Sequence, residues 1–301
     1  MKRILSFDLE DWYQLLHRVV TGEVVPARDT LVRQTERILE TLDLHQTHAT
    51  FFVLGMAAEH FPHLIKRVAS AGHEIAVHGY AHLTAYKVTR AQFREDTRRA
   101  KAMLEDMCGE RVFGYRATAF SITQRSLWAL EELEELGFTY DSSIFPVRHR
   151  RYGIPDFPAA PARYLLPNGG SIAEIPLATV KVLGASMPVA GGGYFRLLPY
   201  PILRSAVERH EKEGRPFMTY FHPYEFDSEN LDVFRFSKPR SIKEKLFGYR
   251  MNWHQNLGRR TMIEKLDSIL ADFEFSTAQE YLNGARLPEN TELLSSSRPR
   301  L

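Results

Sequence analysis

The chain carries one cysteine, Cys108, in 301 residues. That excludes a disulfide framework within the chain and any cysteine-rich metal knuckle. No apolar run approaches the ~18 residues that a membrane-spanning helix needs. The charged start Met1-Lys2-Arg3 leads into an apolar run that meets Asp8 at once, too short for a signal peptide. The expected location is therefore the cytoplasm, at most peripheral to the inner membrane. A large excess of charge of one sign is also missing. The formal net charge is +2, which offers no field for a nucleic acid. The glycine run Gly191-Gly192-Gly193 lacks both the Lys-Ser/Thr of a phosphate loop and the spacing of a dinucleotide-binding turn. What remains is ordinary globular composition, 44% hydrophobic and 25% charged, enough for a substantial core.

What is present is a histidine pair, His78-Gly79-Tyr80-Ala81-His82. A spacing of four puts both imidazoles on one face of a helical turn, within reach of one ion. Residues 72–77 just upstream read as a short buried strand, so the pair sits where a strand ends. The pattern is common by itself. It becomes informative if other strand ends supply a carboxylate and proton-transfer groups.

Residues 3–7 form an apolar run that ends in Asp8-Leu9-Glu10-Asp11. Residues 12–26 read as a loop with some helical character. Asp29 then caps a helix; a strand at 49–54 and a helix at 57–71 lead to the strand before His78. Thr89 caps a charged helix that ends before Gly109. A strand at 112–115 delivers Arg116, and a short strand at 138–140 delivers Asp141, with a helix at 123–136 between them. Residues 142–199 are irregular and rich in Pro, Gly and Arg, a length that is usually functional. A helix at 199–213 and a strand at 216–221 then deliver His222, and a helix follows at 259–272.

Repeated strand-then-helix units argue for a parallel sheet. The acidic cluster, His78, Arg116, Asp141 and His222 all fall at C-terminal ends of strands, which meet on one face of a barrel. The expected fold is α/β, a distorted (β/α) barrel of about seven parallel strands with its polar site at those ends. A doubly wound sheet is the alternative. The expected organisation is a barrel over residues 1–230, a C-terminal extension over 231–285 and a disordered tail over 286–301.

Together these stretches resemble the polysaccharide deacetylases, the chitin-deacetylase-like superfamily with a NodB-homology domain. The resemblance is carried, in the family's order, by Ser6-Phe7-Asp8-Leu9-Glu10-Asp11, the His78–His82 pair, Gly114-Tyr115-Arg116-Ala117-Thr118, Tyr140-Asp141-Ser142-Ser143 and Tyr220-Phe221-His222-Pro223. The words Asp-Leu-Glu-Asp-Trp, Gly-Gly-Gly-Tyr-Phe-Arg and His-Pro-Tyr-Glu-Phe-Asp look closest to a bacterial subgroup associated with exopolysaccharide loci. Residues 234–282 resemble that subgroup's C-terminal extension. Two positions depart from the family pattern. The family commonly has two adjacent aspartates, whereas here Glu10 or Asp11 takes the second role. Strand alternation puts Asp8 and Glu10 on one face, which favours Glu10 and leaves Asp11 open. Thr118 stands where the family usually has proline.

The resemblance implies metal-dependent hydrolytic deacetylation of N-acetylated sugars, in a polysaccharide or its carrier-linked precursor. It implies one divalent ion, most often zinc, held by a carboxylate with His78 and His82. It also implies Asp8 as general base, Arg116 as its partner, and His222 as general acid oriented by Asp141. Asp141 has an equal alternative as a cap on the turn at Ser142-Ser143. Backbone N–H groups near Thr118 and Ala119 would meet the oxyanion. Tyr194, Tyr224 and Trp253 are candidates for sugar stacking or for packing. A small-molecule amide or imide hydrolase on the same scaffold, and a non-catalytic glycan-binding relative, are the competing classes.

Overall fold

The computed structural model describes residues 3–21, 23–235 and 237–290. In chain order the strands are β1 (Arg3–Ile4), β2 (Ser6–Leu9), β3 (Thr50–Val53), β4 (Glu74–Val77), β5 (Gly114–Tyr115), β6 (Tyr140–Asp141), β7 (Ala162–Leu165), β8 (Ser171–Glu174), β9 (Thr179–Val182), β10 (Ala185–Pro188), β11 (Phe275–Ser276) and β12 (Glu289–Asn290). Eight of them form one α/β sheet in the order β12-β7-β8-β6-β5-β4-β3-β2. Every neighbouring pair from β2 to β8 is parallel, and only β7–β8 runs antiparallel. Past β2, the parallel bridges Ile4↔Met218 and Phe7↔Phe221 extend the pattern to residues 217–221. Parallel neighbours need long crossovers, and the amphipathic helices supply them. Both faces of β2 and β3 are therefore buried, which is why they read as continuous apolar runs. Stacked rings of Phe7 and Phe51 (5.1 Å), with Phe221 and Phe226 against Phe7, fill the space between the sheet and its helices.

The structure differs from the sequence reading in four places. Residues 12–21 are a regular helix, Trp12–Thr21, because Trp12, Tyr13, Leu16 and Val20 bury one face against Tyr224, Leu231 and Val233. The expected helix at 57–71 is two helices, Gly55–His60 and Pro62–Ser70. Proline cannot donate to the preceding turn and pushes the residue before it out of the helical region; Phe61 has φ −125° and ψ 62°. The irregular stretch after Ser142 holds β7 to β10 and the short helix Gly192–Leu197. Finally, Glu289 and Asn290 pair with Arg163 and Tyr164 of β7, so residues placed in the expected tail form a strand. The rest of that tail lies outside the described residues. Among the described residues no helix is long and apolar enough to cross a membrane.

Candidate active site

Side chains alternate along an extended chain, so Asp8 and Glu10 face one way and Asp11 the other. Asp8 and Glu10 point to the C-terminal ends of the strands. Asp11 turns back and accepts the N–H groups of Tyr13 (3.1 Å) and Arg28 (3.0 Å). Its burial pushes the carboxyl up to about 6 against those bonds. It anchors the backbone and lies outside the cluster of possible metal ligands.

The Arg116 guanidinium is completely buried. Its Nη1 donates to Asp8 Oδ1 at 2.7 Å and to Ser6 Oγ at 2.9 Å. Its Nε and Nη2 donate to the carbonyl and hydroxyl of Ser142, both at 3.1 Å, and the group lies 3.9 Å from the centre of the Phe52 ring. A buried ion pair is tolerated only when its spare donors are satisfied in this way. Asp8 is thereby held by one oxygen, Oδ1, while Oδ2 turns toward His222.

The histidine pair is set by a loop and not by a helical turn. Gly79 (φ +72°) and His82 (φ +53°) both take the left-handed conformation and fold the chain back after β4. Gly79 adopts it at no steric cost; at His82 it has to be imposed by the surroundings. Asp96, on the helix Arg90–Cys108, accepts the N–H groups of Tyr80 (2.7 Å) and Ala81 (2.9 Å). Arg18 donates to the Ala81 carbonyl, and the Thr118 hydroxyl donates to the Leu83 carbonyl at 2.6 Å. Threonine at this position thus ties down the loop behind His82 by hydrogen bonding, where proline would stiffen only its own segment.

His78 donates its Nδ1 proton to the Arg116 carbonyl at 2.9 Å, since a carbonyl can only accept. That directs Nε2 toward Glu10. Glu10 Oε2 lies 3.4 Å from His78 Nε2 and 3.3 Å from His82 Nε2. The same oxygen is buried with no hydrogen-bond partner. Burial alone would raise the Glu10 carboxyl, but His82 and His78 outweigh it and hold it well below the usual range. His78 moves up: burial opposes its charge, and Asp8 and Glu10 overcome that. The three donor atoms lie within 4.8 Å of one another. Two imidazoles and one carboxylate around an orphaned buried oxygen fit a divalent cation with coordination positions left open, as catalytic zinc has.

His222 completes the cluster. Its Nε2 is 3.5 Å from Glu10 Oε1 and 4.0 Å from Asp8 Oδ2. Its partner on the other side is Glu225 and not Asp141. Glu225 Oε2 accepts the His222 backbone N–H at 2.9 Å and lies 3.4 Å from Nδ1. Burial disfavours the imidazolium, yet Glu225 first, then Glu10 and Asp8, carry it up to about 9. The Arg196 Nε stands 3.4 Å from Glu225 Oε1, and a Cβ at Gly192 would strike the Glu225 carboxylate at 1.6 Å. The Gly-Gly-Gly-Tyr-Phe-Arg and His-Pro-Tyr-Glu words therefore build one unit around a buried carboxylate.

Asp141 makes no hydrogen bond or ion pair with His222 among the described residues: β6 pairs with β8, with Asp141 opposite Glu174, while His222 follows the segment beside β2. It accepts from the Ser143 hydroxyl and from the Ser143 N–H at 3.2 Å, and Ser143 Oγ in turn accepts the Ala117 N–H at 2.7 Å. That is the turn-capping role. Glu174 beside it is held well above the carboxylate range, by burial and then by the Asp141 charge.

Thr118 is buried, and Ala119 next to it is exposed with φ +53°. Tyr194 is half-buried on the helix that carries Arg196, and its hydroxyl makes no hydrogen bond to the cluster among the described residues. The sequence reading missed Asp96, Arg196 and Glu225. Only Glu225 had a local signal, the capping spacing three residues after His222 with proline between.

A family model described as polysaccharide deacetylase matches residues 26–140. A second, a domain of unknown function (DUF3473), matches residues 142–283. His78, His82 and Arg116 lie within the first match, His222, Glu225 and Arg196 within the second, and Asp8 and Glu10 before both. A peptidoglycan-N-acetylglucosamine deacetylase of Bacillus cereus is 35% identical over 99 residues, 33% of this chain and 36% of that protein. The chain thus spans about a third of that relative's length. A Mycobacterium smegmatis structure provisionally named a polysaccharide deacetylase superposes with a TM-score of 0.61 at 21% identity, covering 99% of this chain and 94% of that one. The allantoinase PuuE superposes at 0.55 and 18% identity over 98% and 88%. At these identities the structural likeness is one of fold. Residues 26–140 are thus similar to polysaccharide deacetylases in sequence, and the chain shares its fold with solved structures that include one provisionally named as such.

Proposed function

We propose that the protein is a metal-dependent deacetylase of N-acetylated sugars, acting on a polysaccharide or its carrier-linked precursor in exopolysaccharide synthesis. The observation that carries this reading is the meeting of three parts within one cluster. They are the Glu10–His78–His82 donors, the Arg116-held carboxylate of Asp8, and His222 at 3.5 Å from Glu10. We assign Glu10, His78 and His82 as the ligands of one divalent ion, zinc being the proposed identity. Bound there, the ion supplies Lewis-acid polarisation of the acetamide carbonyl and acidifies a water. Asp8 takes the proton from the attacking water. Arg116 keeps that carboxylate aimed. Backbone N–H groups at Thr118 and Ala119 meet the oxyanion. His222, oriented by Glu225, returns a proton to the nitrogen so that the amine leaves neutral. Tyr194 lines the substrate side. We also propose the division into a barrel over 1–230 and an extension over 231–285.

The test is acetate release from chitooligosaccharides and peptidoglycan fragments, with allantoin as the small-amide control, after chelation and after reloading with zinc. Metal-restored acetate release from the glycans is expected. Hydrolysis of allantoin alone would move the assignment to a small-molecule amidase, and no turnover of any substrate in the zinc-loaded protein would remove the catalytic reading.

A further inference from the structure

The helix Ile242–Asn256 is built inside out. Its inward face is largely polar and small, with Met251 the apolar member, packed on the cluster of Trp12, Tyr224 and Val233. Asn252 accepts the Val233 N–H at 2.9 Å, Asn256 accepts the Leu231 N–H at 2.9 Å, and Gln255 accepts the Tyr224 hydroxyl at 2.9 Å. Gly248 lets the helix press onto Phe234, whose ring a Cβ would meet at 2.6 Å. The outward face carries the large apolar side chains: Ile242 is 79% exposed, Leu246 65%, Tyr249 55% and Trp253 68%. These four recur at i, i+4, i+7 and i+11, a single stripe along the helix. At about 100° per residue, Lys243 and Arg250 fall on one flank of that stripe and Lys245 on the other. All three cations are exposed and have no ion-pair partner among the described residues. The nearby acid Glu244 accepts the Arg240 N–H at the start of the helix.

We propose that this helix is a docking surface for an anionic lipid bilayer. A stripe of aliphatic and aromatic side chains flanked by unpaired cations is the pattern of a helix lying in the membrane interface, with its apolar face among the acyl chains and its cations at the headgroups. The aliphatic members favour lipid over a glycan, since sugars stack on ring faces and gain little from Ile242 or Leu246. The flanking charge favours an anionic surface over a second copy of the chain, whose like-charged rim would oppose it. The surface is coupled to the site. The carbonyl of Gln255 accepts from Arg196 at 2.7 Å, and Arg196 pairs with Glu225, which holds His222. Docking here would hold the Arg196–Glu225–His222 unit close to a membrane-borne sugar.

Co-sedimentation with vesicles of phosphatidylcholine alone, and of phosphatidylcholine mixed with phosphatidylglycerol, tests this without any turnover measurement. Binding is expected only to the mixed vesicles, weakening as salt is raised. Neutralising the flanks with K243Q/K245Q/R250Q should reduce partitioning on the order of a hundredfold, from about fivefold per cation. Opening the stripe with L246S/W253S should reduce it at least about tenfold. These side chains are exposed, so the circular dichroism and Tm of both variants should match those of the parent. Absence of binding to mixed vesicles, or binding insensitive to both variants, overturns the proposal. So does a parent dimer in sedimentation velocity that L246S/W253S dissociates, because the stripe would then belong to a second copy.

Discussion

The two halves of the chain bring their functional groups to the site by different means. Before Ser142, each group stands at the end of a strand held by parallel neighbours. Asp8 lies near the end of β2 and Glu10 follows it, His78 follows β4, and Arg116 follows β5. Backbone hydrogen bonds fix the register, and the register fixes the side chain. After Ser142, His222 follows a segment joined to the sheet by single bridges. Backbone bonds hold that segment to β2, with the Asp8 N–H on the Phe221 carbonyl at 2.7 Å and the Phe221 N–H on the Ser6 carbonyl at 3.1 Å, and side chains then hold the ring: Glu225 against His222, Arg196 against Glu225, in space left by Gly192. Where the sheet does the positioning, the reacting groups and the few side chains that bind them, Arg116 at Asp8 and Asp96 at the histidine loop, should be sensitive to substitution. Where side chains do it, the supporting layer should be sensitive as well.

The largest expected effects treat the halves alike. Asp8→Asn and His222→Ala should each lower kcat for acetate release about 10²–10⁴-fold while metal content by elemental analysis stays at the parent level. A loss of metal in either variant would shift that residue from proton transfer to coordination.

A contrast between two acidic neighbours comes next. Glu10→Gln should weaken zinc binding about ten- to hundredfold by competition titration, whereas Asp11→Asn should leave it unchanged and lower the Tm, since Asp11 holds two backbone N–H groups. Metal loss in Asp11→Asn would exchange the two roles.

The supporting layer separates the halves. Glu225→Gln should lower kcat about ten- to hundredfold with KM and metal content unchanged, because the orienting carboxylate of His222 is gone. Asp141→Asn should stay within a few-fold of the parent, its bonds going to Ser143. A reversal of that order would return the orienting role to Asp141.

The smallest effect compares a half-buried and a buried histidine. His222 sits among carboxylates and is carried up to about 9, while at His73 burial first, then His48 and Arg67, outweigh Asp43 and push it down to about 4. His73 Nδ1 accepts the Ala49 N–H at 3.3 Å, which needs a neutral ring. Because the folded value lies below the ordinary one, this contribution is complete above about pH 6.5 and is lost as pH falls toward 4, of order 1–3 kcal/mol in all. Urea unfolding across that range should show the loss, and His73→Asn should flatten it.

Several of these roles were already visible in the sequence. The strand ends before Ser142 were, because a buried parallel strand is a continuous apolar run and the polar residue that ends it stands out. The preference for Glu10 over Asp11 followed from a period of two, which needs no tertiary information. The capping box at Thr89 and the stop at Gly109 were equally local. The bend of the His78–His82 loop was not visible, because the acid that holds it, Asp96, comes from a helix packed beside it.

The chain by itself determined the alternation of strands and helices, the order of the polar groups and the face that Asp8 and Glu10 share, since each follows from spacing along the backbone. Only the tertiary structure decided that Glu225 and not Asp141 stands beside His222. That choice depends on which strands become neighbours. Asp141 lies opposite Glu174 once β6 pairs with β8, and the segment before His222 reaches β2 from far along the chain. The inverted helix Ile242–Asn256 is of the same kind. Its polar side chains become the inner face only because residues 231–233 leave unpaired backbone groups for Asn252 and Asn256 to satisfy, and a buried N–H without a partner costs more than an exposed leucine.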